Sequence, residues 1–183
     1  MPTALRFQPA LERTDLISPT IIQLLSNWKG SICAKEVWVS EIDSAHAGGK
    51  ELCEHYAVSP DEGATCVIVE ALRGTTRTLA ACVAPVNYRI DFNGKVRKFL
   101  NARRVFLAPL KEILHESKME YGSITPIGLP EHWPILLDEK VTNSPRIIIG
   151  AGKINAKLSL PGKLLSELQN ASIINGLGIK LEH

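Results

Sequence analysis

Tyr121-Gly122-Ser123-Ile124-Thr125-Pro126-Ile127-Gly128-Leu129-Pro130 carries no charge between Glu120 and Glu131, and two glycines and two prolines divide it. The segment has neither the apolar period of a helix nor the alternation of a strand. Glycine opens backbone angles closed to other residues, while proline fixes its own φ and drives its predecessor to extended geometry. The expected product is a rigid loop whose backbone N–H groups can face a small polar ligand. Gly- and Pro-rich loops are also plain connections, so the reading depends on what flanks this one.

Downstream, residues 134 to 137 form an apolar run ending in Asp138, a carboxylate at a strand end. A second apolar run, Ile147-Ile148-Ile149, enters Gly150-Ala151-Gly152. One glycine turn is a connection; two, each beside an apolar strand, suggest a shared cleft. Residues 154 to 160 alternate as a strand, Pro161 opens a helix with Leu164, Leu165 and Leu168 inward, and Ile173-Ile174 adds a short strand.

Upstream, Val105 to Leu107 reads as a strand, and Pro109 begins a helix containing Leu110, Ile113 and Leu114. Residues 64 to 71 and 76 to 84 are apolar strands joined through Gly74, a hairpin covered on both faces and central in its sheet. Residues 34 to 42 form a strand with Val37 and Val39 facing one way. Asp43 or Ser44 caps a helix over 45 to 57 whose Leu52 and Tyr56 face the core, with His46 in its first turn. Residues 1 to 17 lack a period and read as an arm. Ser18-Pro19 then starts a helix with Ile21, Ile22, Leu24, Leu25 and Trp28 on one stripe, closed by Gly30. Hairpins mixed with crossovers predict a mixed α/β fold: a single curved mixed sheet with flanking helices and an N-terminal helical extension.

From Tyr88 to Lys111 the chain is basic: Arg89, Lys95, Arg97, Lys98, Arg103, Arg104 and Lys111 stand against Asp91 alone. Val96, Phe99 and Leu100 mark the buried side of a short helix there, leaving the cations wet. A one-signed surface of this kind suits phosphate contacts, although most charge runs are only solvated faces. Over the whole chain, 21 basic residues against 19 acidic ones give +2, which excludes a strongly basic nucleic-acid binder. At 183 residues, 45% hydrophobic and 22% charged, the chain is an ordinary globular protein with one sizeable core. No run is long enough to span a membrane and no secretory pattern opens the chain. Cys33, Cys53, Cys66 and Cys82 form no C-x-x-C pair; three fall in elements that read as buried, so free thiols and a cytoplasmic location are expected. The histidines are scattered, and no metal site or cofactor is expected. Phosphate-loop, dinucleotide, zinc-protease and nucleophile-elbow motifs are absent.

Together these residues resemble the YbaK/EbsC-type domain, which occurs free-standing and as the editing insertion of bacterial prolyl-tRNA synthetases. The resemblance runs from about Val37 to Asn170. It rests first on Gly122-Ser123-Ile124-Thr125-Pro126-Ile127-Gly128, similar to that family's G-x-x-x-P loop. Leu136-Leu137-Asp138, Ile149-Gly150-Ala151-Gly152, Ala80-Ala81-Cys82-Val83-Ala84-Pro85 and Ile90-Asp91-Phe92 support it. It implies a deacylase domain over 34–180, beside the arm and helix read over 1–33 and Leu-Glu-His at 181–183, which reads as a tag remnant.

The implied activity is hydrolysis of the ester joining a wrong amino acid to tRNA, in trans, without metal or cofactor; the alternative is a non-catalytic binder on the same scaffold. Such chemistry needs an attacking water and donors for the oxyanion. The expected catalytic set is Gly122, Ser123, Ile124, Thr125, Pro126 and Asp138, with loop N–H groups as donors and a vicinal ribose hydroxyl or a water network as base. The binding set is Thr65, His46, Gly128, Gly150, Ala151 and Gly152. The tRNA-contacting set is Arg89, Lys95, Arg97, Lys98, Arg103 and Arg104; neither DNA nor a membrane is an expected partner. One departure stands out. Where the family usually carries a lysine on the first hairpin strand, this chain has Thr65, a hydroxyl without that ammonium's field.

Overall fold

The computed structural model describes residues 4–181. The arm is more regular than its sequence suggests. β1 (Gln8–Pro9) pairs with a later strand, and two 3-10 turns bury Ala10 and Leu16, with Ile17 buried just after them. α1 (Pro19–Ser26) starts after Ser18 with proline in its first turn, as expected, and buries Ile21 and Leu25. β2 (Trp38–Glu41) begins later than residue 34 because Ala34–Glu36 forms a 3-10 turn. Asp43 does act as a cap, its side chain accepting from the Ala45 N–H at 2.9 Å. It caps a short 3-10 turn at Ser44–His46, and α2 (Gly49–Tyr56) follows, with Leu52 and Tyr56 packed near Ile148.

β3 (Ala64–Arg73) and β4 (Thr76–Pro85) form the hairpin, in register from Ala64↔Pro85 to Arg73↔Thr76. After β5 (Tyr88–Ile90) a π-helical turn, Phe92–Val96, leads into α3 (Arg97–Phe99). Val96 is buried, Leu100 is partly so, and Phe99 is 43% exposed, which corrects its expected place on the buried side. β6 (Arg104–Leu107), α4 (Leu110–Ser117), β7 (Ile135–Asp138), α5 (Glu139–Asn143), β8 (Ile147–Gly150), β9 (Ala156–Leu160), α6 (Gly162–Leu165), β10 (Ala171–Ile174) and β11 (Gly178–Lys180) complete the chain.

The architecture is mixed α/β, but among the described residues the strands form three sheets instead of one. A five-stranded sheet runs β10-β7-β4-β3-β6, a four-stranded sheet runs β1-β2-β9-β8, and β11 pairs with β5. β10, β7 and β4 are mutually parallel and the remaining neighbours antiparallel. The two larger sheets touch through one parallel bridge, Gly63↔Ile148. A single bridge lets the sheets fold face to face. Ala81, Val83 and Leu137 from one sheet meet Val39, Leu158 and Ile149 from the other in the main core. Ala80, Cys82 and Leu136 point to a second cluster beneath the 92–100 segment. The hairpin is therefore covered on both faces, as its continuous apolar runs require.

Of the cysteines, only Cys82 is fully buried; Cys53 and Cys66 are half-buried, Cys33 is exposed, and all are free. Cys33 is exposed because it precedes the 3-10 turn, outside any strand. Leu181 donates its N–H to the Asn87 carbonyl at 3.0 Å, while Glu182 and His183 of the expected tag remnant lie outside the described residues. Among the described residues no helix is long and apolar enough to cross a membrane.

Candidate active site

The charge-free loop and the Gly150-Ala151-Gly152 turn are built against each other. The Gly152 N–H donates to the Ser123 carbonyl at 2.9 Å, and the Glu120 N–H donates to the Gly152 carbonyl at 2.9 Å. The Ser123 hydroxyl accepts from the Ala151 N–H at 3.1 Å and donates to the Lys153 carbonyl at 2.7 Å. Ser123 is thus a pin between two turns, and with both hydroxyl functions occupied it is no candidate nucleophile. Two glycines make this possible for different reasons. Gly122 has φ +81, a left-handed conformation that other residues rarely adopt. Gly150 has an ordinary φ, but a Cβ there would lie 2.4 Å from the Ser123 carbonyl oxygen.

Beside these turns lies a cavity of about 470 Å³. Gly122 and Ile124 of the loop, Gly150 at the end of β8, and Thr65 with its neighbours at the start of β3 contribute to its wall. Gly48 and Gly49 at the start of α2 close one side, and Leu107, Leu110 and the 68%-exposed Tyr121 surround it further. β3 is paired with β6 only from Val69 onward, so its first residues border the hollow instead of another strand. The size and apolar lining suit a small ligand.

The cavity holds one cation that the sequence reading missed. Lys157 of β9 is only 5% exposed and lines the wall, with its Nζ 3.4 Å from the Gly122 carbonyl. Burial pushes its ammonium down to about 8. Among the described residues no carboxylate lines the cavity, and Lys157 makes no ion pair. Its strand reads as alternating, which would put Lys157 in water; every residue of β9 is instead buried. The available signal was a lysine flanked by Ala156 and Leu158 in an otherwise uncharged strand. A basic head group therefore reaches the hollow that Thr65 borders, but from another strand. The Thr65 hydroxyl itself only approaches the Ala84 carbonyl, at 3.5 Å.

Of the expected catalytic and binding residues, Gly122, Ile124, Thr65 and Gly150 share this wall. Thr125, Pro126 and Ala151 are buried behind it, and the Thr125 hydroxyl has no hydrogen-bond partner among the described residues. Gly128 and Gly152 serve the rear: their Cβ positions would fall 2.7 Å from the Thr20 backbone and 2.6 Å from the Ser18 side chain. The Ser18 N–H donates to the Ala151 carbonyl at 3.1 Å, and Lys153 Nζ donates to the Asp15 carbonyl at 2.7 Å, so the N-terminal extension backs both turns. Two expectations are corrected. Asp138 does not enter the cavity; its buried carboxylate accepts from the N–H of Lys140 at 2.9 Å and of Gly178 at 2.8 Å, capping α5 and holding β11. His46 stacks on His55 with ring centroids 3.7 Å apart and is not part of the wall, although Ala47 next to it is. Cys66 also lines the cavity, but burial raises its thiol well above the ordinary range, the opposite of nucleophile activation.

The basic residues form a separate surface. Lys95, Arg97 and Lys98 line one shallow hollow with Asp91, and Arg97 and Arg103 line another with Arg73, the last residue of β3. Arg104 lies over the Phe106 ring at 5.8 Å, and Arg89 sits on β5 opposite Ile179. The cavity meets the Thr65 end of β3 and the basic hollows meet its Arg73 end, roughly 25 Å away at strand rise.

The sequence profile of the aminoacyl-tRNA editing domain matches residues 44–168. The chain belongs to that family. Solved structures agree on the fold of this editing domain. A candidate trans-editing enzyme for prolyl tRNA synthetase is 18% identical with a TM-score of 0.71, over 91% of this chain and 99% of that one. The hypothetical protein APE2540 is 20% identical with a TM-score of 0.67, over 77% and 90% of the two chains. A scaffold from work on computational epitope grafting is 17% identical with a TM-score of 0.71, over 91% of this chain and 100% of that one. The YbaK-like fold expected from the loop motif is the one observed.

Proposed function

We propose that this editing domain is a cytoplasmic, trans-acting aminoacyl-tRNA deacylase that hydrolyses the ester of a mischarged tRNA. The observation that carries the reading is the pair of glycine turns, pinned through Ser123, forming one wall of a small apolar cavity. A cavity of about 470 Å³ admits an amino-acid side chain and the terminal ribose, and discriminates by size, the second sieve that binding alone cannot supply. A water attacks the carbonyl carbon there, with the vicinal ribose hydroxyl or further water taking its proton. Backbone N–H groups of the loop remain donors in this reading: those of Gly122 and Ile124, both on the wall, have no acceptor among the described residues. The test is a panel of mischarged tRNAs incubated with the purified protein. Ester loss above the spontaneous rate for at least one of them is expected.

A second reading, a non-catalytic binder of aminoacyl-tRNA, a nucleotide or an amino-acid-like ligand, draws on Thr65, where an ammonium is absent from the first hairpin strand. Binding across the panel with no turnover would favour it.

The basic hollows serve the acceptor end in either reading. Several nucleotides span the distance from Arg73, Arg97 and Arg103 to the cavity, so phosphates can be held while the 3′ end enters. Charge-reversal of Lys95, Arg97 and Lys98 together is expected to weaken tRNA binding at all sequences. It should also flatten the dependence of log affinity on log salt by about one unit for each phosphate no longer neutralised. An unchanged slope in a filter-binding titration would detach this surface from the function.

A further inference from the structure

Lys157 is built into the cavity at a thermodynamic disadvantage. Its ammonium is withdrawn from water, its one acceptor is the Gly122 carbonyl at a long 3.4 Å, and no carboxylate compensates it. A buried charge without a partner is less stable than an apolar side chain of the same volume, so packing does not account for a lysine here. Location does. Lys157 pairs across the strands with Gly150 and reaches Gly122, placing its head group where the two glycine turns meet the hollow.

We propose that Lys157 is a catalytic residue of the deacylation reaction, its ammonium holding the ester carbonyl oxygen as that oxygen becomes negative. The inference rests on the deacylase reading above. Attack by water forms a bond to the carbonyl carbon while the π pair moves onto the carbonyl oxygen, beside Lys157. Collapse restores the C=O bond and breaks the bond to the ribose oxygen, which takes a proton. The water supplies that proton and the hydroxyl of the released amino acid, whose carboxyl then ionises. Lys157 gains and loses nothing over the cycle. Inside an apolar wall a fixed positive charge acts more strongly than in water, and it needs no reorganisation as the charge develops.

Two adenosine probes separate this role from others. One carries an aminoethylphosphonate monoester at the 3′ position, tetrahedral and negative at the oxygen in question. The other carries alanine through a planar, uncharged amide. Calorimetry with the wild type and Lys157→Met is expected to show the phosphonate weakened about 100-fold and the amide unchanged. On a cleaved tRNA, kcat should fall by about 10²–10³-fold at constant KM. Equal weakening of both probes assigns Lys157 to a different part of the ligand, such as a phosphate, and overturns the proposal. So does no change in either, or a phosphonate bound by neither protein. Lys157→Gln repeats the comparison if Lys157→Met does not fold. A wild type that cleaves esters while the variants cleave as fast removes the role of Lys157 alone. A wild type that cleaves none removes the deacylase reading, and the phosphonate measurement still decides whether Lys157 seats the negative oxygen.

Discussion

Gly150→Ala is expected to lower stability by about 3 kcal/mol, read as a drop of about 10 °C in the melting midpoint. The added methyl would meet the Ser123 carbonyl oxygen at 2.4 Å, its carbon at 2.6 Å and the Ile124 carbonyl oxygen at 2.7 Å. All three are backbone atoms, so no rotamer change relieves the overlap and the end of β8 must move off the loop. That movement breaks the Gly152-to-Ser123 hydrogen bond and the one from Ala151 to the Ser123 hydroxyl. Gly122→Ala provides the contrast. Its new methyl would find nothing closer than Ile154 at 3.7 Å, so only the left-handed backbone penalty of about 1–2 kcal/mol applies. If Gly150→Ala melts like wild type, the turns are not in contact and the shared wall is gone.

Lys157→Met should act in the opposite direction. The folded ammonium titrates near 8 and the unfolded one near 10.5, so the unfolded chain binds the proton more tightly. Below about pH 8 both states are protonated and the folded protein bears the whole disadvantage, about 3 kcal/mol. Between 8 and 10.5 the folded lysine is increasingly neutral, and the disadvantage fades to nothing above the unfolded value. At pH 7 the variant is therefore expected to be more stable than wild type by about that amount. The charge-dependent part of the gap should close as the pH rises through this window. Cys66 on β3 and Tyr121 in the loop, the other titratable groups on the cavity wall, are common to both proteins and cancel in the difference. Denaturant midpoints at several pH values measure it. A gap that does not vary with pH would mean that Lys157 is solvated.

The elements whose cause is local were legible in the sequence. Ser18-Pro19 opens a helix because an apolar stripe at helical spacing follows it, and Gly74 between two apolar runs closes a hairpin. The pairing of the two glycine turns was also readable, because one precedes and the other ends an apolar strand that must lie inside. What failed depends on where the opposite face of an element points. Lys157 lies on the second face of β9, and only the tertiary arrangement decides whether that face meets water or a hollow. Phe99 shares the apolar stripe of Val96 and Leu100, and only the tertiary arrangement decides that this flank is left uncovered. Asp138 looked chemical because it ends a strand near the loop; the amides of Lys140 and Gly178, the second far along the chain, made it structural. The division of the strands among three sheets is set by pairings such as β2 with β9 and β5 with β11, again a long-range fact.

The backing of both turns by Asp15, Ser18 and Thr20 bears on how this fold could be transplanted. A cut made at residue 34, the domain boundary expected from the sequence, would open Ile127 and Ala151 to solvent behind the hollow. A portable cassette has to start upstream of Gln8, so that the strand edge at β2 and the rear of the turns travel together.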